Sequence, residues 1–182
     1  MMRATLMGLT MVVIFGAAGV AADKPPRAEE ILEGARATAS EQHKNVFVSF
    51  GASWCEPCHE LESFLASPQI QPIITKHFVI TRVTVAEEYG GNPKLNNPGG
   101  EKLFRKLGGA WGSLPFFAIV DSNGQLIANS RKPPKSKDDS GNIGFPTEPD
   151  EIEWFVNMLK KGAPGLGTED ARIVQEILQS GE

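Results

Sequence analysis

Cys55 and Cys58 are the only cysteines in the chain, and Glu56 and Pro57 separate them. Two cysteines cannot make a disulfide framework, so the pair must be explained as a unit. A short apolar run, Val46-Phe47-Val48-Ser49-Phe50, precedes them and is ended by Gly51; a helical pattern starts at the cysteines. Cys55 then stands at a helix N-terminus, where unpaired backbone N–H groups and the helix dipole stabilise negative charge. The thiolate is the attacking species in exchange, so this position favours attack. Cys58, one turn along, is near enough to close a disulfide with Cys55. Cys55 can therefore take a mixed disulfide and Cys58 can resolve it. Pro57 stiffens the first turn at little cost, because its missing N–H would be unpaired anyway. Trp54 shields the nucleophile on one side. Glu56 sets a carboxylate beside the thiolate, which opposes its charge, raises the thiol pKa and offsets part of the dipole effect.

The same residues admit other readings. Cys55-Glu56-Pro57-Cys58-His59 is also a CxxCH string, the pattern of c-type haem attachment, with His59 as proximal ligand and Met158 or His77 as distal candidates. Against it stands the order of a strand before the cysteines and a Pro115 hairpin after them. Zinc is weaker, since two cysteines with His43 and His77 do not have finger-like spacing; no metal site is expected. A purely structural disulfide over so small a loop adds little by chain entropy. A non-catalytic binding module that keeps the fold is the main alternative to an enzyme.

The elements that must position the pair follow from periodicity. Residues 28–43 have helical spacing at Ala28, Ile31, Leu32, Ala35 and Ala39. After the strand at 46–50, a helix runs from about Cys58 to Ala66, and Ser67-Pro68 starts a further turn or two through Ile74. Phe78 to Val85 is rich in β-branched residues and reads as a strand. Residues 86–99 are dense in Gly, Asn and Pro and read as a loop. Glu101 to Leu107 is a short helix, Phe116 to Val120 a strand, and Asp121-Ser122-Asn123-Gly124 the turn of a hairpin returning at Gln125 to Ala128. Residues 129–147 are polar and turn-rich. Thr147 with Asp150 opens a helix carrying Ile152, Phe155, Val156 and Leu159, and Thr168 caps a last one. Trp111 and Trp154 are assigned to the core, with Trp111 also placed to line a groove beside Pro115. Helices between strands imply parallel crossovers, followed by one antiparallel hairpin. The fold class is α/β, a mixed central sheet with helices on both faces.

Ser53-Trp54-Cys55-Glu56-Pro57-Cys58 after a strand resembles the active site of the thioredoxin family, and Ser113-Leu114-Pro115-Phe116, opening a second strand before a DSNG hairpin, is a second match. The resemblance spans about residues 28–161. Through the run WCEPCHELESFLASPQIQ it is nearest to exported thioredoxin-like proteins and to the C-terminal domain of membrane thiol:disulfide interchange proteins. It implies a thioredoxin-like fold and a thiol–disulfide oxidoreductase, with Cys55 as nucleophile and Cys58 as resolving thiol. It also implies that Pro115 is cis, faces the dithiol and, with Leu114 and Trp54, positions the substrate; Glu56 and Pro57 tune the thiol. No cofactor is implied beyond the redox-active Cys55–Cys58 pair. Three departures stand out. Glu56-Pro57 replaces the common Gly-Pro. Ser49 occupies the position of the family's buried acid, six before the first Cys, and leaves Glu56 or water to serve the resolving thiol. Loops 86–99 and 129–147 and the helix from Thr168 are added length, and the second loop is expected to shape the substrate surface. Arg82 falls roughly where the family keeps a Lys near the dithiol, and without an acid partner it reads equally as an edge or snorkelling Arg.

The N-terminus reads as an address. Arg3 is followed by an uncharged, mostly apolar run, Leu6 to Ala18, and by small residues through Ala22, so residues 1–22 are expected to be a secretory signal. Residues 23–161 are then the thioredoxin-like domain and 162–182 a C-terminal helical extension. Export, most simply to a periplasm, places the pair in oxidising surroundings. Exported proteins with disulfides are the expected partners, with a membrane electron donor. A net charge of −4 argues against a nucleic-acid partner, which calls for a basic surface. The raised nucleophile pKa leans the reading toward a reductase.

Overall fold

The structure is a computed structural model that describes residues 24–110, 112–134, 136 and 140–181. The expected signal at 1–22 and Trp111 lie outside the described residues. In chain order the elements are α1 (Ala28–Glu41), β1 (Asn45–Gly51), α2 (Glu56–Ala66), α3 (Gln71–His77), β2 (Phe78–Thr84), α4 (Gly100–Lys106), β3 (Phe116–Val120), β4 (Leu126–Asn129), α5 (Pro149–Gly162) and α6 (Thr168–Ser180). The loop after β2 carries two short 3-10 turns, Glu87–Tyr89 and Pro93–Leu95.

Four strands form one sheet in the order β2-β1-β3-β4. β1 and β2 are parallel; β3 is antiparallel to both β1 and β4. The sheet is mixed, as its sequence implies, but only one crossover is parallel. The length of α4 explains the difference. Its seven residues rise about 10 Å, whereas the seven residues of β2 extend about 23 Å. Gly100, the first residue of α4, lies against Val83, Val85 and the carbonyl of Thr84, at the end where β2 stops. So short a helix cannot carry the chain back along the sheet, and β3 starts where β2 ended.

Strand alternation sorts the core into two layers. Val46, Val48 and Phe50 of β1, with Phe116, Ala118 and Val120 of β3, face α1 and α4, where Leu32, Ala35, Leu103 and Phe104 cover them. Phe47, Phe117 and Ile119 face the other way, against Leu61, Ile74, Phe155 and Leu159. Phe47 stacks on Phe117 with centroids 5.4 Å apart, and Phe155 meets Phe117 edge-on at 5.5 Å, both favoured aromatic arrangements. Ala171, Val174 and Leu178 of α6 join this second layer. Trp154 packs against it and donates its indole N–H to the carbonyl of Asn129.

Helix starts differ from the sequence reading by a residue or two. α2 begins at Glu56, so Pro57 and Cys58 lie in its first turn. Pro72, not Pro68, sits at the head of α3. α5 is opened by Glu148 and Glu151, whose carboxylate accepts from the Thr147 and Glu148 N–H groups, rather than by Thr147 and Asp150. Gly167, not Thr168, stands at the cap of α6.

Candidate active site

The C-terminal end of β1 and the start of β3 meet, Phe50 pairing with Phe116, at the end of the sheet where α2 begins. Cys55 is the N-cap of α2 in extended conformation, and its carbonyl accepts the first intrahelical bonds from the N–H groups of Cys58 and His59. Cys55 and Cys58 are joined as a disulfide with Cα atoms 5.3 Å apart. Both are nearly buried, at 3% and 2% exposure, but in different surroundings. Cys55 borders a groove of about 560 Å³ that Trp54, Pro57, Tyr89, Phe104 and Leu114 also line. Cys58 is not part of that groove. It is backed by Gly51, where an added Cβ would sit 3.0 Å from the Cys58 sulfur.

Two connecting segments hold the walls. On the first side, the Glu87 side chain is fully buried and accepts from the Ser53 N–H at 2.6 Å and the Ser53 hydroxyl at 2.7 Å. Its own N–H donates to Asn96 Oδ1. Trp54, 42% exposed, donates its indole N–H to the carbonyl of Ala86 at 2.9 Å, which fixes the ring against the 86–90 turn. His59 Nε2 donates to the Ser53 carbonyl at 2.9 Å. On the opposite side, the Leu114–Pro115 peptide bond is cis and Pro115 is buried. Leu114 packs against the cluster formed by Ala52, Cys55 and Cys58. Asn142 reaches this loop from the 129–147 segment, donating to Ser113 Oγ at 2.7 Å and to the Pro115 carbonyl at 2.9 Å.

The structure thus brings Trp54, Cys55, Glu56, Pro57 and Leu114 to one groove, with Cys58 and Pro115 enclosed beside it. Glu56 is exposed at the groove rim. Ser49 is buried and its hydroxyl donates to the Thr81 carbonyl at 3.5 Å. Arg82 lies across from Ser49 in the β1–β2 register on an edge strand, pairs with Glu62 of α2, and has a buried Nε without a hydrogen-bond partner. The side chains named for haem are scattered. His59 is bound to Ser53, Met158 is buried in the core under α5, and His77 lies beside Lys44 and Gly162, where burial pulls its imidazole below the usual value. Among the described residues no group of three or more His, Cys, Asp or Glu is placed to hold a metal ion. No helix of the described residues is long and apolar enough to cross a membrane.

Tyr89 and Phe104 of the groove, and Glu87 and Asn142 that hold its walls, are site residues that sequence reasoning missed. Glu87 and Asn142 carry no local signal: Glu87 is one of two adjacent glutamates, and its neighbour Glu88 is exposed.

A family model described as thioredoxin-like matches residues 27–122. Solved structures similar in part include a disulphide isomerase from Xylella fastidiosa Temecula1, at 23% identity over 62% of this chain and 80% of that one, with a TM-score of 0.47. The oxidised C-terminal domain of DsbD from Neisseria meningitidis matches at 18% identity over 75% and 99% of the two chains, with a TM-score of 0.47. A thioredoxin from Thermus thermophilus matches at 20% identity over 58% and 72%, with a TM-score of 0.40. No match is found among curated proteins. With a family match over more than half its length and a mixed four-stranded sheet carrying helices on both faces, the chain belongs to the thioredoxin-like family.

Proposed function

We propose that the chain is a thiol–disulfide oxidoreductase acting on exported proteins, and that it works in the reducing direction with electrons from a membrane donor. One observation carries the reading: the dithiol pair is asymmetric, with Cys55 on an open groove at the head of a helix and Cys58 enclosed behind it.

In the reduced protein the Cys55 thiolate attacks one sulfur of a client disulfide. A bond forms between Cys55 and that sulfur, and the second client sulfur leaves as a thiolate and takes a proton from water. The Cys58 thiol gives its proton to solvent and attacks the Cys55 sulfur, which expels the remaining client thiolate and closes Cys55–Cys58. The client has gained two electrons and the chain has lost two; the donor's dithiol restores them. Pro57 has no N–H and those of Cys58 and His59 are spent on the Cys55 carbonyl, so the Glu56 N–H and the dipole of α2 stabilise charge on Cys55 at both steps. The exposed Glu56 carboxylate works against that charge, weakly because solvent screens it. A less stabilised thiolate favours a reducing poise. Export rests on the apolar run before residue 23, and the assignment of substrate contacts to Trp54, Leu114 and Pro115 rests on the family resemblance.

Insulin reduction with dithiothreitol as electron source tests the chemistry. Cys55→Ser is expected to abolish turnover, and Cys58→Ser to accumulate a mixed disulfide on Cys55. Turnover that survives Cys55→Ser overturns the reading. The direction is tested by equilibration with glutathione: a potential near about −120 mV, that of strong oxidants, reverses it.

A further inference from the structure

Leu114, in the 113–115 loop, packs its half-buried side chain against the cluster formed by Ala52 and the two cysteines. Its own N–H and C=O make no hydrogen bond among the described residues. Yet the residues on either side of it are tied to a single side chain. Asn142 Nδ2 donates to Ser113 Oγ at 2.7 Å and to the Pro115 carbonyl at 2.9 Å, with a longer approach of 3.4 Å to the Ser113 carbonyl. An amide has two N–H donors, so the two short bonds use both.

The amide is itself held in place. Asn142 Oδ1 accepts from the Ser130 hydroxyl at 2.6 Å, and Ser130 Oγ accepts from the Phe117 N–H at 3.0 Å. Ser130 is fully buried. The network therefore runs from β3, through Ser130 and Asn142, back to Pro115 just ahead of β3, and such connected bonds strengthen one another. The backbone beneath Asn142 is fixed as well. Ile143 donates its N–H to the Ser130 carbonyl and buries its side chain in the core, Lys132 donates to the Gly141 carbonyl at 2.7 Å, and Arg131 Nε donates to the Ser140 carbonyl.

We infer that Asn142 is a positioning residue for the client: it fixes Ser113 and Pro115 so that the unpaired main chain of Leu114 is presented beside Cys55 to a polypeptide disulfide. The inference rests on the oxidoreductase reading and deepens it, because a groove edge of free peptide groups serves a client with a main chain and is irrelevant to a small disulfide that has none. Asn142 does not touch the sulfurs and leaves their exchange chemistry alone.

The test compares two substrates and one equilibrium. Asn142→Asp keeps the shape of the side chain but replaces its donor with a carboxylate facing the Pro115 carbonyl and the Ser113 oxygens. We expect kcat/KM for insulin or a disulfide-bridged peptide to fall about 10- to 100-fold, mainly through KM. Turnover of hydroxyethyl disulfide stays within about two-fold and the Cys55–Cys58 potential is unchanged. Should the Asp variant not fold, Asn142→Ala, which introduces no charge, shows the same split at about 5- to 10-fold. Rates on both substrates falling together, or neither falling, in a folded variant overturns the inference. An unaltered chain that turns over neither disulfide fails at the earlier step and overturns the oxidoreductase reading, and this inference with it.

Discussion

The two segments that grip the groove, 86–99 and 129–147, do the same mechanical work with opposite chemistry. The first uses Glu87, a buried carboxylate that can only accept; the second uses Asn142, whose amide donates. The difference follows from what each wall leaves unpaired. The turn ahead of α2 offers the Ser53 N–H and hydroxyl, two donors that a carboxylate can accept. The loop entering β3 is held at the Ser113 hydroxyl and the Pro115 carbonyl, both met by an amide donor, and Pro115 has no N–H to offer. At each wall the buttressing side chain complements the groups it meets.

The largest break expected is at Glu87. No cation pairs with it among the described residues, so its burial is offset by the two Ser53 donors alone. Glu87→Ala removes both bonds and strands the Ser53 N–H. We expect a loss of about 3 kcal/mol, read as a fall in Tm of roughly 6–12 °C, with Trp54 fluorescence changed on the same transition. Gly91→Ala strikes the same fastener sterically, since an added Cβ would lie 1.9 Å from Glu87 Oε2. It is expected to cost about 1–2 kcal/mol, whereas Gly34→Ala in α1, with nothing within 4 Å, is expected to stabilise by about 0.5–1 kcal/mol. Denaturant midpoints of the two variants separate crowding from chain entropy. The smallest effect sharpens the other side. Lys132 pairs with Asp150 at 2.8 Å, with the Asp side chain half exposed. Lys132→Met is expected to cost under about 1 kcal/mol and to lose that difference in high salt. An effect at Lys132 as large as that at Glu87 would mean that surface charge, not buried hydrogen bonding, fastens the second segment.

Much of the frame was legible in the residues themselves. Phe116 to Val120 and its DSNG turn carry strand and hairpin chemistry locally, and β3 spans those five residues. The Trp54-Cys55-Glu56-Pro57-Cys58 string fits a helix start because a proline in a helical run is tolerated in its first turn and not in its interior. The direction of β3 was not legible from element order; it depends on comparing the reach of a seven-residue helix with the length of a strand. Glu87 and Asn142 were hidden for another reason. Both lie in polar, turn-rich stretches whose composition reads as solvated, and each is made structural by a partner at a distance, 34 residues away for Ser53 and 27 for Pro115. Local pattern carries no record of such pairings.

The sealed position of Cys58 against Gly51 has a kinetic corollary for the proposed chemistry. Cys55 is the cysteine that borders the groove, so in that chemistry the partner that delivers electrons and the partner that accepts them meet the same sulfur. A client and a donor that share one berth must take turns, and the expected kinetics are ping-pong, with the chain alternating between its two oxidation states as each visitor departs.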